Sequence, residues 1–271
     1  MKGRVLVVAG SDSGAGAGIQ ADIKTIGALG GYATTAITAL TAQNTRGVQA
    51  VMAVPPDFIR RQIESVFDDI GADCIKTGML HSVAVLEMVG AFIAARAPDL
   101  PLVVDPVLAA TDGTLLLDES ALDMLKRLLI PRATVLTPNV PEAEALTGTA
   151  LHDIDAMTRA AQALVALGSR YVLVKGGHLP GALVQDVFVG AGETTVLESA
   201  RIETSSTHGT GCTLASAIAV GLAQGMKPLA AARRARTYLS EAIRSAPGLG
   251  SGHGPLNHMH TVSPSAMRGQ G

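Results

Sequence analysis

The first apolar run of the chain, Val5–Ala9, is unbroken and of strand length, as strands buried on both faces of a parallel sheet are. A Gly-rich stretch, Gly10 to Gly18, follows it. A helix then runs to about Leu29, where Gly30-Gly31 supplies a C-terminal stop. Tyr32–Ala39, rich in Thr, reads as a strand. Pro55-Pro56 opens a helix to about Ile70, since proline is tolerated in a first turn. Cys74–Lys76 and Leu102–Asp105 are short strands with a helix between them near Val83–Arg96. Asp118–Leu129 is a helix and Thr134–Leu136 a strand. Pro141–Leu146 and Asp153–Leu167 are helices, and Tyr171–Lys175 is a strand. After that the pattern changes: Val184–Val189 and Thr194–Glu198 are consecutive strands around a Gly190–Gly192 turn, a hairpin signal. A second glycine loop, His208–Gly211, leads into an Ala-rich helix to about Gln224, and a last helix runs from Pro228 to Ala246.

Strand and helix alternate through the first two thirds, which argues an α/β fold on a parallel sheet. No repeat and no internal linker interrupts the first 246 residues, so residues 1–260 are expected to form one domain. The end of the chain is rich in Gly, Ser, Pro and His, and past about Thr261 it is expected to be disordered. Composition narrows the function. With 48% hydrophobic and 16% charged residues the chain is no disordered segment, and a net charge of -2 gives no basic stripe for nucleic acid. Two cysteines, Cys74 and Cys212, are too few for a disulfide framework and point to a reducing, cytoplasmic setting. The uncharged stretches Thr25–Thr45 and Thr204–Met226 are too polar for membrane spans.

Several segments carry chemistry. Gly10-Ser-Asp-Ser-Gly-Ala-Gly-Ala-Gly18 sits where a strand meets a helix N-terminus, a ready anion or ligand site. It is not a P-loop. It fits a dinucleotide fingerprint only loosely, because no Asp or Glu lies between Asp22 and Asp57 to hold a ribose. A tight turn packed on the sheet is the plain alternative. Asn139-x-x-Glu142 follows a strand, where an amide and a carboxylate could serve phosphate and a hydrated magnesium. It could equally be an N-cap with an acidic first turn. Thr207-His-Gly-Thr-Gly-Cys212 precedes the Ala-rich helix and offers backbone N–H groups to a transferring phosphoryl. Cys212 in that first turn is either partly thiolate or a small space-filling residue. Lys175 ends a strand and could reach phosphates, or it is simply solvated. Asp105 also ends a strand and could hold magnesium. The tail histidines His253, His258 and His260 lack the cysteine and carboxylate neighbours of a metal site.

Taken together, these segments resemble the hydroxymethylpyrimidine/phosphomethylpyrimidine kinases of thiamine biosynthesis, in the ribokinase-like superfamily, over residues 4 to about 260. The carrying stretches are Ala17-Gly-Ile-Gln-Ala-Asp22, Ala42-Gln-Asn-Thr-Arg-Gly47, Lys76-Thr-Gly-Met-Leu80, Asp105-Pro-Val107, Thr137-Pro-Asn-Val-Pro-Glu142, Lys175-Gly-Gly-His178 and His208-Gly-Thr-Gly-Cys-Thr213. The ending Gly254-Pro-Leu-Asn-His-Met-His260 is similar too, which favours structural roles for its histidines. The first loop departs: family members often read Ser-Ser-Gly-Gly where this chain has Ser13-Gly14-Ala15-Gly16.

The resemblance implies a three-layer α/β/α fold, with a mainly parallel central sheet flanked by helices on both faces. It implies ATP and Mg2+ as cofactors, a homodimer, and phosphorylation of the pyrimidine hydroxymethyl and then of the monophosphate. Gln43 would read the aminopyrimidine through its paired donor and acceptor, with Asp22 also facing it. Gly10, Ala17, Met79 and Val107 would complete the acceptor pocket. Asn139, Lys175, Thr207 and Thr210 would bind ATP, with Glu142 and Asp105 at the metal. Gly209, Gly211 and Cys212 would form the anion hole, and Lys175 would neutralise charge during transfer. An apolar strand such as Gln49–Val54 could line the dimer interface.

A pyridoxal-type kinase would use the same machinery and differ only in its pocket. A nicotinamide oxidoreductase lacks its ribose carboxylate here. A non-catalytic binding module would be free to lose Lys175 or Glu142, and both are present. Many superfamily relatives carry Asp where this chain has Cys212. A phosphate acceptor is already an anion at neutral pH and hardly needs a base, so cysteine fits a site that serves both acceptors. Cys212→Asp is therefore expected to speed the first phosphorylation and slow the second, measured as separate turnover rates; an equal response of both steps would refute this.

Overall fold

The computed structural model describes residues 1–108 and 119–262. Among them the strands β1 (Arg4–Asp12), β2 (Tyr32–Asn44), β3 (Gly47–Ala53), β4 (Cys74–Thr77), β5 (Leu102–Val104), β6 (Val135–Leu136), β7 (Tyr171–Val174), β8 (Leu183–Gly190) and β9 (Glu193–Ala200) form one sheet, in the order β3-β2-β1-β4-β5-β6-β7-β8-β9. The strands β2-β1-β4-β5-β6-β7 are parallel, whereas β3, β8 and β9 attach antiparallel at the edges. The helices are α1 (Gly18–Ala28), α2 (Pro56–Asp69), α3 (Val83–Arg96), α4 (Glu119–Leu128), α5 (Val140–Thr147), α6 (Ile154–Ala166), α7 (Thr210–Ala223) and α8 (Pro228–Arg244).

The alternation of side chains along each strand divides the core in two. Leu6 and Val8 of β1, with Ile75, Leu102, Val104, Val172 and Val174, face Ile59, Leu86, Leu125 and Met157 of α2, α3, α4 and α6. Val5, Val7 and Ala9, with Cys74, Val103, Val135 and Leu173, face Ile19 and Ile26 of α1, Ile218 of α7 and Tyr238 of α8. Burying such a side chain fully contributes about 1.5–3 kcal/mol, so both layers stabilise the sheet and an unbroken apolar strand satisfies both. The expected three-layer α/β/α sandwich is thus observed. Helix α7 lies between α1, α8 and the sheet and is buried all round from Thr213 to Leu222, which its Ala, Leu and Ile composition permits.

The path of the chain opens a crevice at one place. From β1 the connection through α1 leads to β2 on one side, and the next connection, through α2, leads to β4 on the other. Parallel crossovers are right-handed, so connections running in opposite directions put α1 and α2 on opposite faces. The carboxyl end of β1 is therefore a switch point, where open α/β sheets place ligands.

Two expected strand boundaries move outward. Strand β1 runs on to Asp12 past a register shift between Ala9 and Ser11, so the first glycine loop begins later than Gly10. Strand β2 continues to Asn44, beyond the expected end at Ala39, and turns back through Gly47 to pair with β3. Beyond Ala39 the strand alternates between exposed and half-buried residues, the pattern of an edge ribbon rather than of a buried strand. Short 3-10 turns at Ile130–Arg132 and Gly176–His178 were not expected. The expected helix over 118–129 is observed at Glu119–Leu128, and its first residue, like the end of the chain past Val262, lies outside the described residues.

After α8 the chain folds back over the helices. Tyr238 Oη donates to the carbonyl of His258 at 2.5 Å, and His258 Nε2 lies 3.0 Å from Thr213 Oγ1. Burial pushes the His258 imidazole down to about 4, so it is neutral. His253 meets Thr207 at 3.2 Å, and His260 meets the carbonyl of Tyr238 at 3.1 Å. The three tail histidines thus serve three separate contacts, as the structural reading expected.

Beneath the crevice, Lys76 of β4 and Asp22 of α1 are both fully buried and paired, with Nζ 3.1 Å from each carboxylate oxygen. Ser216 of α7 donates to the same carboxylate at 2.6 Å. One charge pair therefore ties a strand to two helices. Burial works against the Lys76 ammonium, but Asp22, Cys212 and Asp105 together outweigh it and hold the pKa above the ordinary value. Lys76→Met would leave Asp22 buried without its counter-charge and is expected to cost roughly 3–5 kcal/mol. Urea unfolding reads this as a lower midpoint at unchanged slope, with Lys76→Met/Asp22→Leu recovering most of the loss.

Candidate active site

The carboxyl ends of the parallel strands and the N-terminus of α7 surround a cleft of about 850 Å3. Two glycine loops form one of its walls. In the first, the Asp12 carboxylate accepts from the N–H groups of Gly14 (2.8 Å), Gly16 (3.0 Å) and Ala17 (2.8 Å). It also meets His208 Nε2 of the second loop at 2.8 Å. Burial pushes the Asp12 pKa up, but His208 and the backbone donors outweigh it, so the carboxyl is held below its ordinary value. Ala15 adopts φ 58°, a left-handed conformation, where the resemblance places glycine; a Cβ there costs about 1–2 kcal/mol. Gly209 sits at φ 85° as the N-cap of α7, and a Cβ on it would come 1.9 Å from the carbonyl oxygen of Gly16. Only glycine lets the two loops lie this close.

Beside the second loop stand two carboxylates and a lysine: a Cβ on Gly211 would come 3.2 Å from Lys175 Nζ and 3.6 Å from Asp105 Oδ2. Asp105 follows β5, Asn139 and Glu142 straddle the start of α5, and Lys175 follows β7. Lys175 Nζ lies 3.1 Å from Asp105 Oδ1 and 3.7 Å from Glu142 Oε2. Burial opposes its charge, yet the two carboxylates keep its pKa raised. Glu142 is itself pushed up by burial, against the pull of Lys175. Asn139 and Glu142 form a reciprocal capping box: Glu142 N–H donates to Asn139 Oδ1 at 2.8 Å, and Asn139 N–H to Glu142 Oε2 at 2.7 Å. The N-cap alternative is therefore realised, and it holds both side chains at the cleft. Among the described residues no three His, Cys, Asp or Glu side chains converge as a metal cage. Asp105 and Glu142 are nonetheless hard oxygen donors on one wall, which fits Mg2+, an ion that uses one or two carboxylates and keeps water.

Cys212 lies in the first turn of α7, as expected, where N–H groups have no intrahelical acceptors. It is not a thiolate. Burial pushes the thiol up to about 12; Lys76 and a backbone hydrogen bond with Gly18 pull it down, and Asp22 and Asp105 add to the rise. Of the two alternatives the sequence left open for Cys212, desolvation therefore favours the small neutral side chain over the partly ionised one.

Of the residues singled out from the sequence, Gly10, Ala17, Gln43, Met79, Asp105, Val107, Asn139, Glu142, Lys175, Thr207, Gly209, Thr210, Gly211 and Cys212 all line this cleft. Asp22 does not. It is fully enclosed beneath the floor and reaches the cleft only through Lys76. Gln43 is half-buried on β2, with its backbone N–H and carbonyl both engaged by Ser13 Oγ at 2.8 Å. Sequence reasoning missed several lining groups. Lys76 was legible only as part of a motif, and Asp12 only as an Asx residue before a turn. Arg236 of α8, whose Nε lies 2.7 Å from Asp186 on β8, left no local signal. Nor did the recess made by Ala200, Ile202, Leu239 and Ile243.

A mainly parallel α/β/α sheet with an anion-binding helix terminus and a carboxylate–lysine cluster at its switch point defines a ribokinase-like small-molecule kinase. The phosphomethylpyrimidine kinase family model matches residues 12–257, and the chain belongs to that family. It is 50% identical over 259 residues to the thiamine biosynthesis bifunctional protein ThiED of Geobacter sulfurreducens, covering 95% of this chain but 52% of that one. The chain thus spans about half the length of that relative. It is 48% identical to a hydroxymethylpyrimidine/phosphomethylpyrimidine kinase of Streptomyces coelicolor, with 94% and 93% of the two chains covered. Among solved structures, the pyridoxal kinase from Staphylococcus aureus in complex with ADP superposes with a TM-score of 0.89 at 33% identity, over 96% of this chain and 94% of that one.

A thiol pushed to about 12 carries very little thiolate at neutral pH. Iodoacetamide is therefore expected to label Cys212 about three orders of magnitude more slowly than a free cysteine at pH 7.5, since thiolate falls tenfold per pKa unit. Mapping alkylated peptides by mass reads this; labelling at the free-thiol rate would mean the thiolate is stabilised after all.

Proposed function

We propose that the protein is a kinase of thiamine biosynthesis that phosphorylates 4-amino-5-hydroxymethyl-2-methylpyrimidine at its hydroxymethyl oxygen and then phosphorylates the resulting monophosphate, using ATP. The observation that carries this reading is a single cleft lined both by Gln43 and by the Lys175–Asp105–Glu142 cluster, which stands beside Gly211 at the α7 N-terminus. The family and the 48%-identical kinase support the same assignment.

In this reading Gln43 pairs with the ring nitrogen and exocyclic amine of the pyrimidine, against walls from Ala17, Met79 and Val107. The recess of Ala200, Ile202, Leu239 and Ile243 takes the nucleotide base, and Asn139, Thr207 and Thr210 take its phosphates. The backbone N–H groups of Gly209, Gly211 and Cys212 receive charge developing on the transferring phosphoryl. The acceptor oxygen forms its bond to the γ-phosphorus as the bond to the departing ADP breaks, and the hydroxyl proton leaves to solvent. Asp105 and Glu142 would hold Mg2+, which when bound neutralises phosphate oxygens. Lys175, already held between these carboxylates, adds a positive charge at a fixed place. The neutral thiol of Cys212 is a poor base, so positioning and electrostatics do the catalysis, as phosphoryl transfer permits.

Residues 1–260 act as one kinase domain in this reading, in the cytoplasm. The β2–β3 ribbon exposes Leu40, Val51 and Met52, and a second copy of the chain would cover them in a homodimer. One observation favours a second reading, phosphorylation of pyridoxal or pyridoxine: the whole-chain superposition on a pyridoxal kinase. Incubation with Mg-ATP and hydroxymethylpyrimidine, pyridoxal or pyridoxine in parallel, followed by mass, separates the two. Successive mono- and diphosphates of the pyrimidine are expected. A single phosphate on the vitamin B6 compounds, without pyrimidine diphosphate, would move the function to the second reading.

A further inference from the structure

The Asp12 carboxylate belongs to no step described above, yet it takes part in four hydrogen-bonding contacts at the cleft wall. It is 3% exposed. Oδ1 accepts from Gly14 N–H, and Oδ2 accepts from Gly16 and Ala17 N–H and meets His208 Nε2 at 2.8 Å. A carboxylate so occupied, and held ionised, has its Oδ2 fully engaged by the two loops. Its bonds instead join parts of the chain 196 residues apart. On one side stands the loop carrying Ala17, a wall of the acceptor pocket. On the other stands the loop carrying Gly209 and Gly211, which faces the transferring phosphoryl.

The contact between the loops is tight elsewhere too. A Cβ on Gly16 would come 2.3 Å from His208 Cδ2, and one on Gly209 would come 1.9 Å from Gly16 O. His208 is tied behind as well, its N–H donating to the carbonyl of Gly254 at 3.1 Å. The His208 backbone is therefore anchored to the returning C-terminal segment, and its imidazole lies against the first loop with Asp12 as its partner.

We propose that Asp12 and His208 are positioning residues for phosphoryl transfer: a clasp that sets the distance between the acceptor pocket and the anion hole. This rests on the kinase reading, because it assigns the two loops to the two reacting groups. The clasp touches neither substrate. It acts by holding the acceptor oxygen and the phosphoryl in reacting geometry, where a displacement of about 1 Å costs on the order of a hundredfold in rate. Its loss therefore falls on kcat rather than on binding.

Three variants test it: Asp12→Asn, His208→Leu and His208→Gln. Glutamine keeps an N–H donor where leucine keeps only bulk. Kinetics use whichever acceptor the wild type turns over, with ADP affinity and thermal stability measured alongside. Asp12→Asn and His208→Leu are expected to lower kcat about a hundredfold, with KM for ATP and acceptor within about threefold and ADP affinity unchanged. His208→Gln is expected to recover at least tenfold over His208→Leu. Amide hydrogen exchange supplies a readout independent of activity: His208→Leu should speed exchange across residues 12–18, a segment it does not belong to.

A His208→Leu variant with wild-type kcat, or a loss confined to KM, overturns the clasp. So does unchanged exchange over 12–18, or a glutamine variant no better than leucine. If His208→Leu fails to fold, the comparison of Asp12→Asn with His208→Gln carries the same test. A wild type that phosphorylates none of the acceptors sinks the kinase reading instead, and the exchange experiment still decides whether the loops are clasped.

Discussion

Right-handed crossovers are the constraint on which the rest of this structure depends. Because the chain leaves β1 in one direction through α1 and comes back past it in the other through α2, the two helices cannot share a face. The gap that this leaves at the carboxyl end of β1 is where polar groups can lie in the interior without a helix stacked over them. The cleft runs from there along the carboxyl ends of the parallel strands, which supply Asp12 from β1, Gln43 from β2, Asp105 after β5, Asn139 after β6 and Lys175 after β7.

Polar groups in such a place must be paired, since an isolated buried charge costs far more than any local interaction returns. The structure meets this requirement with charge pairs that also join distant elements. Lys76 and Asp22, with Ser216, bind β4 to α1 and α7 below the floor. Arg236 and Asp186 bind α8 to β8. Lys175 binds the ends of β5 and β7 to the first turn of α5. The same low dielectric that makes an orphan charge costly strengthens each satisfied pair. Cys212 shows the reverse case. A thiol can stay neutral, and burial makes it do so despite the helix terminus and a nearby ammonium.

The edges of the sheet follow a different logic. Strand β3 and the far half of β2 carry half-exposed and exposed residues, with β3 pairing only to β2. This ribbon shapes one side of the cleft through Gln43 and leaves Leu40, Val51 and Met52 facing outward. At the other edge β8 and β9 form the antiparallel hairpin that supplies Asp186 and leads to Ala200 and Ile202.

Periodicity and turn chemistry are local, and the sequence by itself determined what depends on them. The unbroken run Val5–Ala9, the Gly30-Gly31 stop, the Asn139–Glu142 cap and the Gly190–Gly192 hairpin were legible because each is decided by neighbours in the chain. So were the strand-end positions of Asp105 and Lys175. Pairings between remote segments were not. Whether Asp22 faces the cleft or lies sealed below it is decided by Lys76, 54 residues away, and by Ser216, 194 residues away. Asp12 looks in sequence like one more loop residue until His208 is brought against it. The ionisation of Cys212 turns on burial, which no motif records. Tertiary structure decided these because desolvation and charge pairing depend on what the fold brings within a few ångströms, and chain order does not specify that.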